Sequence, residues 1–568
     1  MLRRSARFCV VLAAALTLSA VADNDTSFAL ETRASRAGAH QTSAREGGAP
    51  YDQLVTLFRE WREFERPKFL DGVPDYTRSA MAAQQRALPE WQARLERIDR
   101  KGWSVPQQVD WHLVRAEMNG LDFDHRVRRP WERDPAFYVW IFPAQSDVPA
   151  HEGPVIHGWI DLWKYRYPLA ARDAAELAGR IGAIPALLDQ ARRNLTGNAR
   201  DLWTSGIRDF RTQSADLEEL SRRVAGTSAD LDRAIAAAHR ATDDFRGWLE
   251  RSASTKTGLS GIGKQHYDWY MRHVQLVPFS WEQQVTLTER ELARAHSSLR
   301  LEENRNRELP QLERIASPEE YDRRLNDAVT KYMRFLEKED IHALKPWMDP
   351  ALRAVNGQYT PAAPGQIRNF FNEVTYRDPL VMRTHMHHWI ELARMREEPH
   401  PSAIRKVAPL SNIYASRSEG FATGVEEMLM HAGLFDDAPR SRELVWVMLA
   451  QRAARALSGL RLHANEFTME QAVEHATKWT PRGWLPDGDL VRGEQLLYLR
   501  QPGYGTSYLT GKIEIEELMA ERALQMGDKF TIRRFFDEFF DAGVVPVVLA
   551  RWQLTGVRPP LLAGERTR

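Results

Sequence analysis

A mainly α protein is predicted from three observations. Most of the chain beyond Tyr51 places apolar residues every three or four positions, few runs alternate at a period of two, and turn-forming composition collects between the periodic stretches. With 43% hydrophobic residues and 18 tryptophans over 568 positions, the chain has enough apolar material for a large core, which we expect to be divided between two lobes.

Taken in order, residues 1–22 carry Arg3, Arg4 and Arg7, then an apolar run from Phe8, then the small-residue exit Ala20-Val21-Ala22. This is the pattern of a secretory signal peptide, so the mature chain is expected to start near Asp23 and to be periplasmic or secreted. Cys9 is the only cysteine and sits inside the apolar run, which leaves the mature protein without a disulfide. Residues 23–50 are small, polar and aperiodic and read as a flexible start. An N-terminal helical lobe is expected over 51–252, a second lobe carrying the active site over 253–560, and a short tail over 561–568. Helical periodicity runs through 172–195, 215–252, 281–303, 440–462 and 512–526. The clearest start lies at Ser317-Pro318-Glu319-Glu320, followed by Tyr321, Leu325, Val329, Tyr332 and Leu336. There Ser317 can cap, Pro318 loses nothing by lacking an N–H, and Glu320 can close a capping box. Breaks are expected at 252–264, 356–365, 398–412 and 480–493, the first of them between the lobes.

Charge removes several function classes. With 78 basic and 77 acidic residues the net charge is +1, which gives no footprint for nucleic acid or anionic lipid. Beyond the signal no apolar stretch approaches the roughly 20 residues of a membrane span. A mature chain without cysteine and without a Gly-x-Ser-x-Gly elbow offers no serine or cysteine nucleophile.

Chemistry concentrates in the second half. Residues 385–391 read His-Met-His-His-Trp-Ile-Glu. His385 and His388, three apart, lie about 60° apart on an α-helix and can face one ion, with His387 turned away. Imidazole is the commonest zinc ligand, and Glu391 could serve as base or orienter. The plainer alternative is a helix with ordinary hydrogen-bonded histidines. Glu419 and Glu426, seven apart, share a face and could give one carboxylate to a metal and one to a histidine behind it. Gly420 and Gly424 cost helix stability unless close packing needs them. His463 and Tyr508 are candidate donors to an oxyanion, and Glu494 a supporting carboxylate near Tyr498 and Tyr504.

The order of these segments resembles the bacterial family catalogued as domain of unknown function 885, whose fold is similar to that of zincin-type metallopeptidases. The segment Ile184-Pro185-Ala186-Leu187 resembles its Ile-Pro helix, and His266-Tyr267-Asp268-Trp269-Tyr270 its aromatic segment. Glu419-Gly420-Phe421-Ala422 resembles its Glu-Gly-Trp-Ala, Arg452 through His463 its arginine-rich helix, and Pro502-Gly503 through Tyr508 and Gly511 its Pro-Gly turn. The family signature His-Glu-x-x-Pro-Gly-His-His is missing: either Val381-Met382 stands where His-Glu belongs, or Met386 takes the place of the base. The resemblance implies a zincin-like helical architecture with two lobes flanking a cleft. It also implies a zinc-dependent hydrolase acting on peptides or other small amides, with His385, His388 and Glu419 as ligands. Glu391, His463 and Tyr508 would be the catalytic groups, and Glu426 and Glu494 would support them. The alternative is a catalytically impaired relative that binds peptides or a protein partner in the cell envelope.

Overall fold

The computed structural model describes residues 49–363 and 365–562. The expected signal peptide, nearly all of the flexible start and residues 563–568 of the expected tail lie outside the described residues. The structure is 68% helix and 2% strand, so the mainly α expectation holds.

Local chemistry sets the helix ends. The helix Pro318–Lys338 starts as its sequence predicts, with the Ser317 side chain accepting from Glu320 N. The Glu320 carboxylate reaches back one residue farther than a capping box requires and accepts from Ala316 N at 3.0 Å. The run at 172–195, expected as one helix, is two: Ala171–Gly182 and Ile184–Asn194. Pro185 has no N–H to continue the first ladder, so it opens the second. The run at 215–252 likewise divides between Arg200–Val224 and Ala229–Ala253. Gly226 turns the chain there with φ +75°, and Ser228 caps the second helix through Leu231 N. The last periodic run begins earlier than expected: Tyr504–Met526 takes in residues that read as a turn. The turn is confined to Gly503, whose φ of +84° suits glycine.

Buried apolar residues form two large clusters. One, including Trp140, Ile184, Phe210 and Phe245, lies wholly within residues 73–249. The other joins Trp61, Trp111 and Phe123 to helices beyond residue 262. Helices Ala49–Glu65 and Val105–Phe123 therefore pack with the C-terminal part of the chain. The only strands among the described residues are two minimal ladders, an antiparallel one at Phe69–Leu70 with Val73–Pro74 and a parallel one at Ile141–Phe142 with Ile160–Asp161. The parallel ladder ties off a loop, 143–159, that reaches the functional site. No helix among the described residues is long and apolar enough to cross a membrane.

At the centre, helix Ala415–His431 crosses helix Tyr504–Met526 at Gly420 and Gly511. A Cβ on Gly511 would sit 1.7 Å from the Ser416 carbonyl oxygen, and one on Gly420 would sit 2.4 Å from the Gly511 backbone. Gly424 is under no such demand, because its Cβ would meet nothing nearer than Met428 Cε at 3.5 Å. Gly511→Ala is therefore expected to destabilise the protein by about 3 kcal/mol or more through overpacking against backbone. Gly424→Ala should be neutral or stabilising by up to about 1 kcal/mol. Denaturant unfolding of the two variants checks the contrast, and equal effects would contradict the crossing described.

Candidate metal and acid–base site

His385 and His388 come together, though not on one continuous helix as their spacing suggested. Helix Pro379–His385 ends at Met386, and a second helix, His387–Glu397, starts at once. The two imidazoles meet edge to face with ring centres 5.1 Å apart. Helix Ala415–His431 lies against them so that its seven-residue spacing matches the pair. Glu419 Oε2 is 3.2 Å from His388 Nε2, and Glu426 Oε1 is 3.1 Å from His385 Nδ1. Arg452 grips both Glu426 oxygens, at 2.8 and 2.7 Å, and also reaches His385 Nδ1 at 3.1 Å. With Nδ1 so engaged, Nε2 is the His385 nitrogen left to bind anything else.

The loop 143–159 adds two carboxylates. Asp147, His385 and His388 each offer a ligand atom, all within 4.8 Å of one another. Glu152 stands beside them: Tyr504 Oη is 2.8 Å from Glu152 Oε1 and 2.6 Å from Glu419 Oε1. A phenol has one proton to donate, so one of these contacts must be donated by a protonated carboxyl. Burial, together with Asp147, pushes Glu152 up to about 8, whereas Glu419 is held below the ordinary carboxylate value. In Glu419, burial is outweighed by His388 and His385 and by the Tyr504 hydroxyl. The order is thus a Glu152 carboxyl donating to Tyr504 Oη and Tyr504 donating to an ionised Glu419. Asp147 is raised by burial despite the histidines. Burial disfavours charge on His388, but Glu419 and Asp147 overcome it and lift the imidazole to about 9.

These residues fit a divalent ion such as zinc. Two imidazoles and Asp147 make a mixed nitrogen and oxygen set of the kind zinc takes. Glu419, expected as a ligand, is not one of these three converging groups and instead stands 3.2 Å from His388 Nε2. His388 Nε2 is buried and makes no aligned hydrogen bond, although Glu419 is near in distance. Such an orphaned nitrogen is aimed at something other than the carboxylate.

The remaining expected residues have other partners. Glu391 gives both oxygens to Arg417, at 3.1 and 2.6 Å, in a buried pair. His463 Nε2 bonds the Tyr498 carbonyl at 2.9 Å, and burial lowers the ring to about 4, so it is neutral. Tyr508 lies beside Tyr504 with ring centres 5.8 Å apart, and burial and Glu419 keep it protonated. Glu494 pairs with Arg455 through one oxygen, while its Oε2 has no partner. His387 stacks on Phe540 and belongs to the core. Sequence reasoning missed Asp147 and Glu152. The available signal was weak: two acids and a histidine among prolines in Ser146-Asp147-Val148-Pro149-Ala150-His151-Glu152-Gly153-Pro154, an aperiodic stretch too long for a tight turn. Two cavities flank this loop. The larger, about 460 Å³, lies against Trp131, His151 and Trp159, the smaller, about 190 Å³, reaches Glu152, and neither is lined by His385 or His388. Chemistry argues for the smaller, which touches the raised carboxyl.

Fold and site together define a mainly α protein with a buried group of carboxylates around two histidines. The chain belongs to the family described as bacterial protein of unknown function (DUF885), matched over residues 65–371 and 387–554. The interval between these matches holds His385 and the place of the missing signature. Among solved structures the chain is similar to a protein from Shewanella oneidensis, provisionally named a lipoprotein of unknown function. The two share 15% identity and a TM-score of 0.62, over 89% of this chain and 97% of that one. It is also similar to a provisionally named lipoprotein from Colwellia psychrerythraea, at 15% identity and a TM-score of 0.64, over 89% of this chain and 99% of that one. These likenesses concern the fold. No curated protein matches the chain.

Glu152 supplies a test of the electrostatics. Its carboxyl, ordinarily near 4.5, is raised to about 8, so the folded chain holds a proton that the unfolded chain has lost throughout that window. Its contribution to stability is full below the lower value and is lost as pH rises through about 8. The melting temperature of chelated protein should therefore fall between about pH 5 and 8, and Glu152→Gln should flatten the fall. An unchanged slope in that variant would contradict the protonated carboxyl.

Proposed function

We propose that the protein is an exported metal-dependent hydrolase that cleaves a peptide or another small amide. The observation that carries this reading is the hydrogen-bonded run from Glu152 through Tyr504 to Glu419, set beside Asp147, His385 and His388. Export is supported by the signal-like residues 1–22 and by the provisional lipoprotein names of the structural neighbours.

In this reading Asp147, His385 and His388 would hold a zinc ion, with Glu419 beside His388. When bound, the ion supplies Lewis-acid polarisation of a carbonyl and a water acidic enough to ionise near neutral pH. His385 would donate Nδ1–H to Glu426, which Arg452 holds through both oxygens, leaving Nε2 with its lone pair free. Tyr504 holds Glu419 in one orientation by donating to Oε1. Glu152, raised to about 8 and so protonated near neutral pH, would give its proton to a leaving amine and recover one from the hydrating water. It would thereby supply a general acid, a different role from the base that the family's His-Glu would provide. Tyr508, kept protonated by its burial, can donate to a developing oxyanion.

A second reading is a binding protein without turnover. It is favoured by Met386 at the place of the base and by the Arg417 clamp on Glu391. Metal analysis and peptide turnover separate the two. Purified protein is expected to carry about one zinc per chain and to lose turnover on chelation. His385→Ala with His388→Ala should abolish both, while Glu152→Gln should keep the metal and slow turnover by about 10² to 10⁴. Full turnover from metal-free protein, or normal zinc in the double variant, would overturn the hydrolase reading. Metal without cleavage across a broad peptide library would favour the binding protein.

A further inference from the structure

Glu152 also faces the second cavity. Helices Arg200–Val224 and Asp489–Arg500, with the start of the loop 143–159, enclose about 190 Å³ there. This is the size of one side-chain-like group rather than of a whole ligand. Part of the wall is apolar, formed by Phe142, Leu490 and Leu497. The polar part has four carboxyls, Glu152, Asp209, Asp216 and Glu494, against two guanidiniums, Arg208 and Arg500.

The guanidiniums have partners. Arg500 donates to Asp134 at 2.7 Å and to the Pro154 carbonyl at 3.0 Å, and Arg208 lies 3.6 Å from Asp209. The other acids are less well served. Asp216 has no hydrogen-bond or ion-pair partner among the described residues, and burial alone raises it to about 7. Glu494 is 2% exposed, uses one oxygen on Arg455, and leaves Oε2 without a partner. A buried carboxylate oxygen without a donor is costly, which applies to Glu494 Oε2. Asp216 is half-buried and faces the cavity without a protein partner among the described residues.

We propose that this cavity is the subsite for a cationic group of the substrate, an ammonium or guanidinium on a short alkyl stem. Asp216 and Glu494 Oε2 accept its N–H groups, and Phe142, Leu490 and Leu497 surround the stem. An ammonium brings three donors and a guanidinium five, whereas a neutral alkyl group would leave both acids unsatisfied and an anion would be repelled. The inference rests on the hydrolase reading for the identity of the occupant as substrate, since a group held here lies against Glu152. The substrate class is then amides and peptides with a basic side chain or a free amine.

Binding tests this without turnover. Agmatine, 1-pentanol and glutarate are titrated calorimetrically into the full purified protein, once chelated and once loaded with zinc. Agmatine is expected to saturate one site in both states and to bind at least about tenfold tighter than pentanol, with glutarate not binding. Asp216→Asn should weaken agmatine about tenfold and leave pentanol unchanged. In the wild-type protein agmatine should also protect Asp216 from carbodiimide labelling, read by mass spectrometry, which needs no variant to fold. Equal binding of agmatine and pentanol, or labelling of Asp216 that agmatine does not slow, overturns the proposal. That result with metal-dependent turnover intact would leave the hydrolase reading standing. Agmatine binding and protection in a protein that cleaves nothing would sustain the cationic pocket and remove the hydrolase.

Discussion

The contact of Gly420 with Gly511 governs the geometry around it. Two helices approach so closely there that a methyl group on either would enter the other's backbone. Glu419 adjoins one glycine, and Tyr504, seven residues before the other, shares its helix face. Their 2.6 Å hydrogen bond follows from the crossing. Glu419 in turn fixes where His388 can stand, and through the same helix Glu426 meets His385. A wider crossing would separate the carboxylate from the phenol and leave the loop acid Glu152 without its bridge to the histidines.

The buried acids of this region differ in one respect that sorts them. Glu391, Glu426 and Glu494 each face an arginine, Arg417, Arg452 and Arg455 respectively. Buried ion pairs of this kind add little net stability, because desolvation consumes most of the attraction, but breaking one strands a charge and so each pins its helices in register. Asp147 and Glu152 have no arginine. Burial raises both, with Glu419 adding to it at Asp147 and Asp147 adding to it at Glu152, which is brought to about 8. In the proposed chemistry, the division between acids that position and acids that react would follow from which of them faces a cation.

Much of this was legible in the sequence, for reasons that can be named. Helical periodicity located the long helices, because burying one face of each requires it. The spacing of Glu419 and Glu426, and the suspicion that Gly420 answers a packing need, also held. Helix ends were harder: Pro185 and Gly226 each divided an expected single helix, and Gly503 let the helix at 504 begin within an expected turn. Glu391 was read as a base or orienter and Glu494 as a supporting carboxylate, and their arginine partners were not legible because they lie 26 and 39 residues away, on other helices. Asp147 and Glu152 were the least accessible. They come from an aperiodic loop that meets His385 only through the fold.

In the proposed hydrolase, that loop would let a chain without the His-Glu signature still place an acid–base group beside the histidines. Both ends are tied by the Ile141–Phe142 and Ile160–Asp161 ladder, and its middle is hung on distant elements. Ala150 N donates to Tyr414 Oη at 3.1 Å, Asn412 to the His151 carbonyl at 3.0 Å, and Gly153 N to Gln501 at 2.7 Å. These bonds fall between and beside Asp147 and Glu152 and tether the loop backbone on both sides of Glu152. A glutamate one residue past a histidine must share that helix's orientation. The loop carboxyl Glu152 is not bound to that orientation, and it lines the same cavity as Asp216 and Glu494. In the proposed chemistry the proton carrier and the group that recognises the substrate therefore meet at Glu152, which makes the loop, rather than the histidine helix, the element that joins binding to bond cleavage.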